Sequence, residues 1–488
     1  MIRDFYIDSI RRQIGFAPTV EQAEAIDAFA DYMTCRGEHP VFILSGSAGT
    51  GKTTLAAAIV RAMVEMKQKI VLLAPTGRAA KVFSLYAGQP AYTIHRRIYR
   101  QRSGAIGMDG FSLNDNLHTD TLFIIDEASM IANQGYGESG FGSGCLLDDL
   151  VRYVNSGRNC RMMLIGDKAQ LPPVGEEESP ALMPQVMRCY GSEVMHSTLN
   201  EVVRQGEESG ILWNATKVRS MISEEYAMEL PKVWFHGFDD IRNVPGNELI
   251  EELASSYSRA GLDDTIVITR SNKLAIRYNN GIRNMVLGNE DELCSGDRLM
   301  VVKNNYFWTE KEKKESGEGS AGAVPAFLAN GDRAKVLRVS NYIELYGFRF
   351  ATLLLQLPDY DDYEMQVTGM LDTLQSEAPA LTHEQQEELF RQVEEDYQHF
   401  VPLKADRMKS IRQDAYFNAL QIKYAYAVTC HKAQGGQWAH VYVDQGYMTD
   451  DMLTPDYIHW LYTAFTRATD KLFLVNWPKE QTCEPTDL

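Results

Sequence analysis

Between Gly46 and Thr53 the chain reads GSAGTGKT, which satisfies the spacing G-x-x-x-x-G-K-[ST] in full. Glycines at 46, 49 and 51 let the backbone N–H groups of Gly46, Ala48, Gly49, Thr50 and Gly51 turn inward around a phosphate. A following helix adds the positive end of its dipole at Lys52, Thr53 and Thr54. In this pattern Lys52 reaches the β- and γ-phosphates and the Thr53 hydroxyl ligates Mg²⁺, so the expected cofactors are ATP and Mg²⁺. The rival reading is a plain glycine-rich turn. It loses weight because an apolar run, Val41–Leu44, comes before the loop, and Leu55, Ile59, Ala62, Met63 and Met66 fall on one helical face after it.

Such a loop needs an acidic pair at a neighbouring strand end. "TLFIIDEASM" supplies it: Asp126 is placed to hold the metal through its water shell, and Glu127 to act as general base toward the attacking water. Charge developing on the γ-phosphoryl group also calls for cations, and Arg204 and Arg467 are candidates. Composition alone gives neither arginine a claim over an ordinary surface role.

Two sets of short apolar runs without polar alternation read as buried parallel strands. The first is Val41–Leu44, Ile70–Ala74, Leu122–Ile125 and Met162–Ile165; the second is Thr265–Thr269, Tyr424–Thr429, His440–Val443 and Lys471–Val475. Strands alternating with helical patterns predict an α/β architecture in two domains. Arg97–Thr119, with Gly104, Gly107 and Gly110, reads as a small hairpin insertion. Gly135–Gly144 and Glu310–Ala323 read as mobile low-complexity links. From Asp297 to about Gln356 the pattern is β-hairpin material, a small barrel. Beyond it, Thr382 and Gln385 stand in capping-box spacing before a helix with the stripe Leu389, Phe390, Val393 and Tyr397.

Length and charge bound the partners. The 488 residues, 44% hydrophobic, can bury several cores, and no run of 18 apolar residues suggests a membrane helix. The N-terminal stretch lacks the pattern of a signal peptide, and seven scattered cysteines with no C-x-x-C pair fit neither a disulfide framework nor a zinc site, so a cytoplasmic setting is expected. A net charge of −18 weighs against a polyanion partner. The acid is clustered, however, at Gly175–Glu178, Asp359–Glu364 and Glu384–Asp396, and charge is screened over roughly 8 Å at physiological salt.

The run of "PTVEQAEAI", "GSAGTGKTT", "LLAPTGRAAK", "TIHRRI", "IIDEASM", "LIGDKAQLPPVG", "TLNEVVRQ", "VITRSNKLA", "NNYFW…LANGD", "AVTCHKAQGGQ" and "LYTAFTRA" covers nearly the whole chain. In that order it resembles the superfamily 1 helicases of the 5′-to-3′ group, RecD-like and kin to the Dda and Pif-type enzymes. The resemblance implies two RecA-like parallel-sheet motor domains of the P-loop NTPase kind. Their limits would be 1–96 with 120–200, and 201–297 with 415–488. A pin or hairpin at 97–119 interrupts the first, and an SH3-like barrel with an added helical segment at 298–414 interrupts the second.

The resemblance also assigns roles. Gln22 would read the adenine edge, Gln170 would sense the γ-phosphate, and Arg204 and Arg467 would reach that phosphate. Gly435 and Gln437 would lie near the nucleotide, although many relatives carry glutamate where Gln437 stands. Pro75, Thr76, Arg78, Thr93 and His95 would track DNA on one motor domain. Thr269, Arg270, Asn272, Thr429, His431 and Lys432 would do so on the other. Hydroxyls, imidazoles and loop N–H groups suit phosphates without reading sequence. Tyr306, Phe307 and Trp308 are either base-stacking platforms or barrel core. As the place of the strand-separating pin, 97–119 carries only two aromatics, Tyr99 and Phe111.

The function implied is ATP-dependent 5′-to-3′ movement on single-stranded DNA with unwinding of adjoining duplex, by a monomer. The alternatives are an RNA helicase of the Upf-like branch and a P-loop switch that does not translocate. A guanine-type N-K-x-D motif is broken at "NKLA", where Ala275 replaces the aspartate. A nuclease role finds no carboxylate cluster to support it.

Overall fold

The computed structural model describes residues 2–101, 111–134, 142–202, 209–223, 230–316, 324–325, 327–449 and 452–483. They fall in two compact units. One draws on Met1–Asn243, Gln434–Gln437 and Tyr447–Leu488; the other on Val244–Ala433 and Trp438–Gly446.

The first unit is built on a six-stranded parallel sheet. Its strands are β1 (Val41–Gly46), β2 (Lys69–Ala74), β3 (Ala91–Thr93), then, after a two-stranded ribbon of β4 (Tyr99–Gln101) and β5 (Phe111–Leu113), β6 (Thr121–Ile125), β7 (Arg161–Gly166) and β8 (Val194–Leu199). The order β3-β2-β6-β7-β1-β8 places β1 between β7 and β8, with Ile43 opposite Leu164 on one side and His196 on the other. β1 and β6 are buried at every residue, which is why they read as unbroken apolar runs. The helix Lys52–Glu65 and the N-terminal helices Ile2–Ile14 and Val20–Thr34 cover one face through Ile10, Ile26, Phe29, Ile59 and Met63. The helix Leu146–Ser156 covers the other with Leu147, Leu150, Val151 and Val154. β9 (Ile241–Val244) lies at the end of the unit's main segment.

In the second unit, β10 (Thr265–Thr269) begins a parallel trio completed further along the chain. Between its members stands a closed barrel of β11 (Arg298–Val301), β12 (Arg333–Leu345), β13 (Phe348–Leu357), β14 (Tyr363–Met370) and β15 (Leu420–Tyr424). β16 (Ala427–Thr429) and β17 (Trp438–Asp444) pair in parallel with β10 on either side. β18 (Ala468–Val475) belongs to the first unit, where the Leu472 N–H donates to the Asp240 carbonyl.

The expected helix after the barrel is present at His383–Gln398. Thr382 and Gln385 form both halves of its capping box, and Leu389 and Val393 are buried against the barrel-side cluster of Phe348 and Phe350.

Two expectations need correction, and one open alternative is resolved. Tyr424–Thr429 is not one strand: Ala425 and Tyr426 carry the chain from the barrel (β15) to the sheet (β16), and both pieces are buried, so hydrophobicity shows no break. Glu310–Ser316 is the greater part of a helix, Phe307–Ser316, not a mobile link; 317–323 lie outside the described residues. Of the suggested stacking aromatics, Trp308 is core, 5% exposed, with its indole N–H on the Asn418 carbonyl, and Tyr306 packs on Phe327 with ring centroids 4.8 Å apart. In the 97–119 insertion, Ile94–Ile98 is a short helix and Tyr99 is buried, its hydroxyl donating to Asp149 at 2.8 Å. Residues 102–110, with Gly104, Gly107 and Gly110, and 135–141 lie outside the described residues.

Candidate nucleotide site and polynucleotide-facing strand ends

The loop after β1 takes the shape its glycines allow. Gly49 has φ +78 and Gly51 φ +75, conformations that side chains rarely adopt. A Cβ on Gly49 would also meet the Leu212 side chain at 3.2 Å. Gly51 precedes the helix Lys52–Glu65 without any side-chain cap, which leaves the first N–H groups of that helix for a ligand. Thr53 and Thr54 stand exposed at that end. The Lys52 ammonium donates to the Gly46 carbonyl at 2.7 Å, the Thr50 hydroxyl to the Ser47 carbonyl at 2.9 Å.

The acidic pair sits at the end of β6, two strands from β1. Asp126 accepts hydrogen bonds from the Tyr86 hydroxyl and from the Glu127 N–H at 2.9 Å, so its carboxylate is oriented before any ligand arrives. Glu127 has φ +51, a left-handed conformation that turns its side chain out of the strand line. Burial pushes both carboxyls above the usual carboxylate range. Asp126 adds to the rise at Glu127, while Arg467 and Lys52 pull it back down. An anion pair held near two cations suits a metal-assisted phosphoryl site. The hydroxyl of Thr53 and the carboxylate of Asp126 are the oxygen donors a Mg²⁺ ion takes, so the residues fit that ion.

Arg467 follows the buried helix Pro455–Phe465 and is itself 3% exposed. It donates to the carbonyls of Thr463 (3.1 Å) and Gly436 (3.2 Å). The same helix holds the segment after β7: Leu171 N–H donates to Thr463 Oγ1 at 2.7 Å, and His459 Nδ1 stands 2.9 Å from the Ala169 carbonyl. Gln434 amide donates to the Leu171 carbonyl at 2.7 Å. Gln170 is thus fixed by its neighbours, while its own Oε1 is buried and accepts no hydrogen bond from the described residues. Arg204 lies outside the described residues. Gln22, 1% exposed, uses Oε1 for the Thr19 N–H of its capping box and donates through Nε2 to the Thr50 carbonyl at 3.0 Å. One amide hydrogen and one lone pair remain. Gly435 has φ +70 and packs near Ala79 and Thr76; the Gln437 carbonyl accepts from Arg78 Nη2 at 2.6 Å.

The residues expected to face a polynucleotide form two clusters at strand ends. β2 and β3 are adjacent, with Ala74 opposite Thr93. Pro75, Thr76 and Arg78 therefore emerge beside Thr93 and His95. Thr76 and Thr93 are N-caps, accepting from Ala79 N–H and Arg96 N–H at 3.2 Å each. His95 packs on the Tyr99 ring, and burial drops its pKa to about 4, which leaves a neutral imidazole at pH 7. In the second unit Thr269 pairs with Thr429 in register, which brings Arg270 and Asn272 beside His431 and Lys432. The Thr269 hydroxyl donates to the Ser271 carbonyl at 3.1 Å, and Asn272 donates to the Glu377 carbonyl at 3.1 Å. Lys432 donates to Asn330 Oδ1; burial, then Lys423, lowers its pKa to about 8.

Sequence reasoning missed Tyr86, Tyr462 and Arg219. The Tyr462 hydroxyl, on a side chain 1% exposed, accepts the Ala48 N–H at 2.9 Å and donates to Asp167 at 2.6 Å. Arg219 donates to the Ser47 hydroxyl. None of the three had a local signal except Tyr462, which lies inside "LYTAFTRA".

Residues 17–224 match a family described as an AAA domain, and residues 424–475 match one described as the UvrD-like helicase C-terminal domain. The chain is 32% identical over 471 residues to the ATP-dependent RecD2 DNA helicase of Deinococcus radiodurans, covering 93% of this chain and 48% of that one. It is 26% identical over 290 residues to the ATP-dependent DNA helicase dda of Enterobacteria phage T4, covering 55% and 57%. It thus spans about half the length of both relatives. Among solved structures, Pif1 helicase from Bacteroides in complex with ADP-AlF3 and ssDNA is similar at 15% identity and a TM-score of 0.46, over 96% of this chain and 95% of that one. These sequence matches support a place among the superfamily 1 helicases of the RecD-like 5′-to-3′ group, and the loop after β1 is a nucleotide-binding P-loop. Among the described residues no helix is long and apolar enough to cross a membrane.

Proposed function

We propose that the chain is an ATP-driven motor that moves 5′ to 3′ along single-stranded DNA and opens the duplex ahead of it. The observation that carries this reading is the gathering of Lys52, Asp126, Glu127 and Arg467 about one phosphate-binding loop. Lys52 leaves the Gly46 carbonyl for the β/γ oxygens, and the uncapped N–H groups of its helix hold the β-phosphate. Glu127 takes the proton of the attacking water, a task for which a raised carboxyl is suited. Arg467, with Arg204, offsets charge that grows on the γ-phosphoryl group. Mg²⁺, when held through Thr53 and Asp126, supplies neutralisation of the phosphate oxygens. Gln22 offers its remaining amide hydrogen and lone pair to the adenine edge. Gln170, with an unsatisfied oxygen, registers the γ-phosphate, and Gly435 and Gln437 border the nucleotide.

In this reading the motor halves are 1–96 with 120–200 and 201–297 with 415–488, interrupted by the hairpin at 97–119 and the barrel with its helices at 298–414. Thr76, Arg78, Thr93 and His95 with Pro75 grip one stretch of strand. Thr269, Arg270, Asn272, Thr429, His431 and Lys432 grip another. A hinge motion driven by nucleotide turnover shifts one grip past the other. The protein acts as a cytoplasmic monomer.

The test is unwinding of tailed duplexes with ATP. Duplexes with a 5′ single-stranded tail open and those with only a 3′ tail stay closed; the opposite preference overturns the polarity. Single-stranded DNA raises the ATPase rate more than RNA of the same length does. Equal stimulation would favour an RNA track, and no stimulation would leave only a nucleotide switch.

A further inference from the structure

Arg219 stands on the helix Gly210–Ser223 with a half-buried guanidinium. Nη1 donates to the Ser47 hydroxyl and Nη2 to Asn200 Oδ1. Both acceptors are neutral, and among the described residues no carboxylate pairs with this cation. A guanidinium is a planar fork matched to carboxylate or phosphate, and neutral oxygens offset its charge poorly. Asn200 is held in place, because Glu21 Oε2 accepts both its N–H and that of Glu201. The arginine is therefore aimed at the loop rather than free to swing into solvent.

Position decides which anion it awaits. The Lys52 ammonium, whose target is the β/γ oxygens, rests on the Gly46 carbonyl, so the opening residues of the loop mark the γ end of the site. Ser47 is the next residue. Ala48 follows, its N–H on the Tyr462 hydroxyl, and Arg219 lies close enough for its charge to act on that phenol.

We propose that Arg219 is a third cation for the γ-phosphoryl group, beside Arg467 and Arg204, and exchanges Ser47 and Asn200 for phosphate oxygens when a triphosphate binds. The proposal rests on the reading that this loop takes a nucleoside triphosphate.

The test uses the full chain with Mg²⁺, titrated with ADP and with the non-hydrolysable analogue AMPPNP, alongside ATPase rates. Arg219→Ala holds ADP as tightly as the parent chain, binds AMPPNP about tenfold more weakly, and loses on the order of 100-fold in kcat. Arg219→Lys, which keeps the charge without the fork, falls between the two and serves if the alanine variant does not fold. Asn200→Ala removes a neutral acceptor only and leaves the ratio of the two affinities at the parent value. Equal weakening of ADP and AMPPNP in the arginine variants, no change in either, or the same selective loss in Asn200→Ala would make Arg219 a staple and overturn the proposal. A parent chain that binds neither nucleotide overturns the nucleotide reading itself, and this proposal with it.

Discussion

Under the proposed function, parallel strand ends in this molecule serve two polyanions, and they are furnished differently. At the ends of β1 and β6 the groups are charged and oriented by one another: Lys52 on Gly46, Asp126 under Tyr86, Glu127 between the fields of Lys52 and Arg467. At the ends of β2 and β3 neutral groups predominate beside Arg78, whose guanidinium rests on the Gln437 carbonyl. The Thr76 and Thr93 hydroxyls cap helices, and His95 is an uncharged imidazole. The ends of β10 and β16 resemble the second kind, with Arg270 and Lys432 as cations and the Lys432 charge weakened by burial. A site that must carry out phosphoryl chemistry needs fixed charge in a water-poor setting. A track that must be gripped and released is better served by neutral donors, since each strong ion pair with phosphate would have to be broken at every step.

The largest test of this contrast lies at the charged end. Lys52→Ala should remove ATP turnover by about 1,000-fold or more while the far-ultraviolet spectrum and melting temperature stay near the parent values. Turnover retained near the parent rate would remove the P-loop assignment. Arg467→Ala should lower kcat on the order of 100- to 1,000-fold with ATP affinity changed far less, as expected of a group that acts on the transition state. Equal losses in both would show that the residue only holds the bound nucleotide.

Smaller effects belong to the track. Lys432→Ala should reduce the slope of log affinity for single-stranded DNA against log salt by about one, and His95→Ala should leave that slope unchanged. A slope change at His95 would erase the distinction between the two grips. A lysine with a pKa near 8 is charged below that pH and neutral above it, so DNA affinity should fall as pH rises through about 8. Lys432→Arg should abolish that fall, read by fluorescence anisotropy. Smallest is Thr76→Ala, which removes an N-cap and should cost about 1 kcal/mol of stability in denaturant unfolding, with ATPase in the absence of DNA unchanged.

The charged end was the more legible from the chain, because its chemistry is local. Gly46 to Thr54 is one continuous loop and helix start, and Asp126–Glu127 terminates an apolar run whose burial is complete. The helix at 383–398 announced itself through Thr382 and Gln385, a cap that depends on residues three apart. The break inside Tyr424–Thr429 did not, since a strand ending in a barrel and one beginning in a sheet are equally apolar. Trp308 could not be told from a stacking platform either, because an exposed tryptophan and one bonded to the Asn418 carbonyl are spelled alike. For the same reason Tyr86 and Arg219 went unnoticed: Tyr86 meets Asp126 40 positions away, and Arg219 meets Ser47 172 positions away.

Short-range spacing alone therefore determined that this protein cradles phosphate and sets two carboxyls beside it, since turns, caps and periodic burial depend on residues a few positions apart. Which tyrosine orients Asp126, which phenol meets the Ala48 N–H, and which arginine meets the Ser47 hydroxyl were decided by tertiary structure. Those partners come from separate stretches of chain, and only the burial of whole helices and strands against one another brings them within hydrogen-bonding distance.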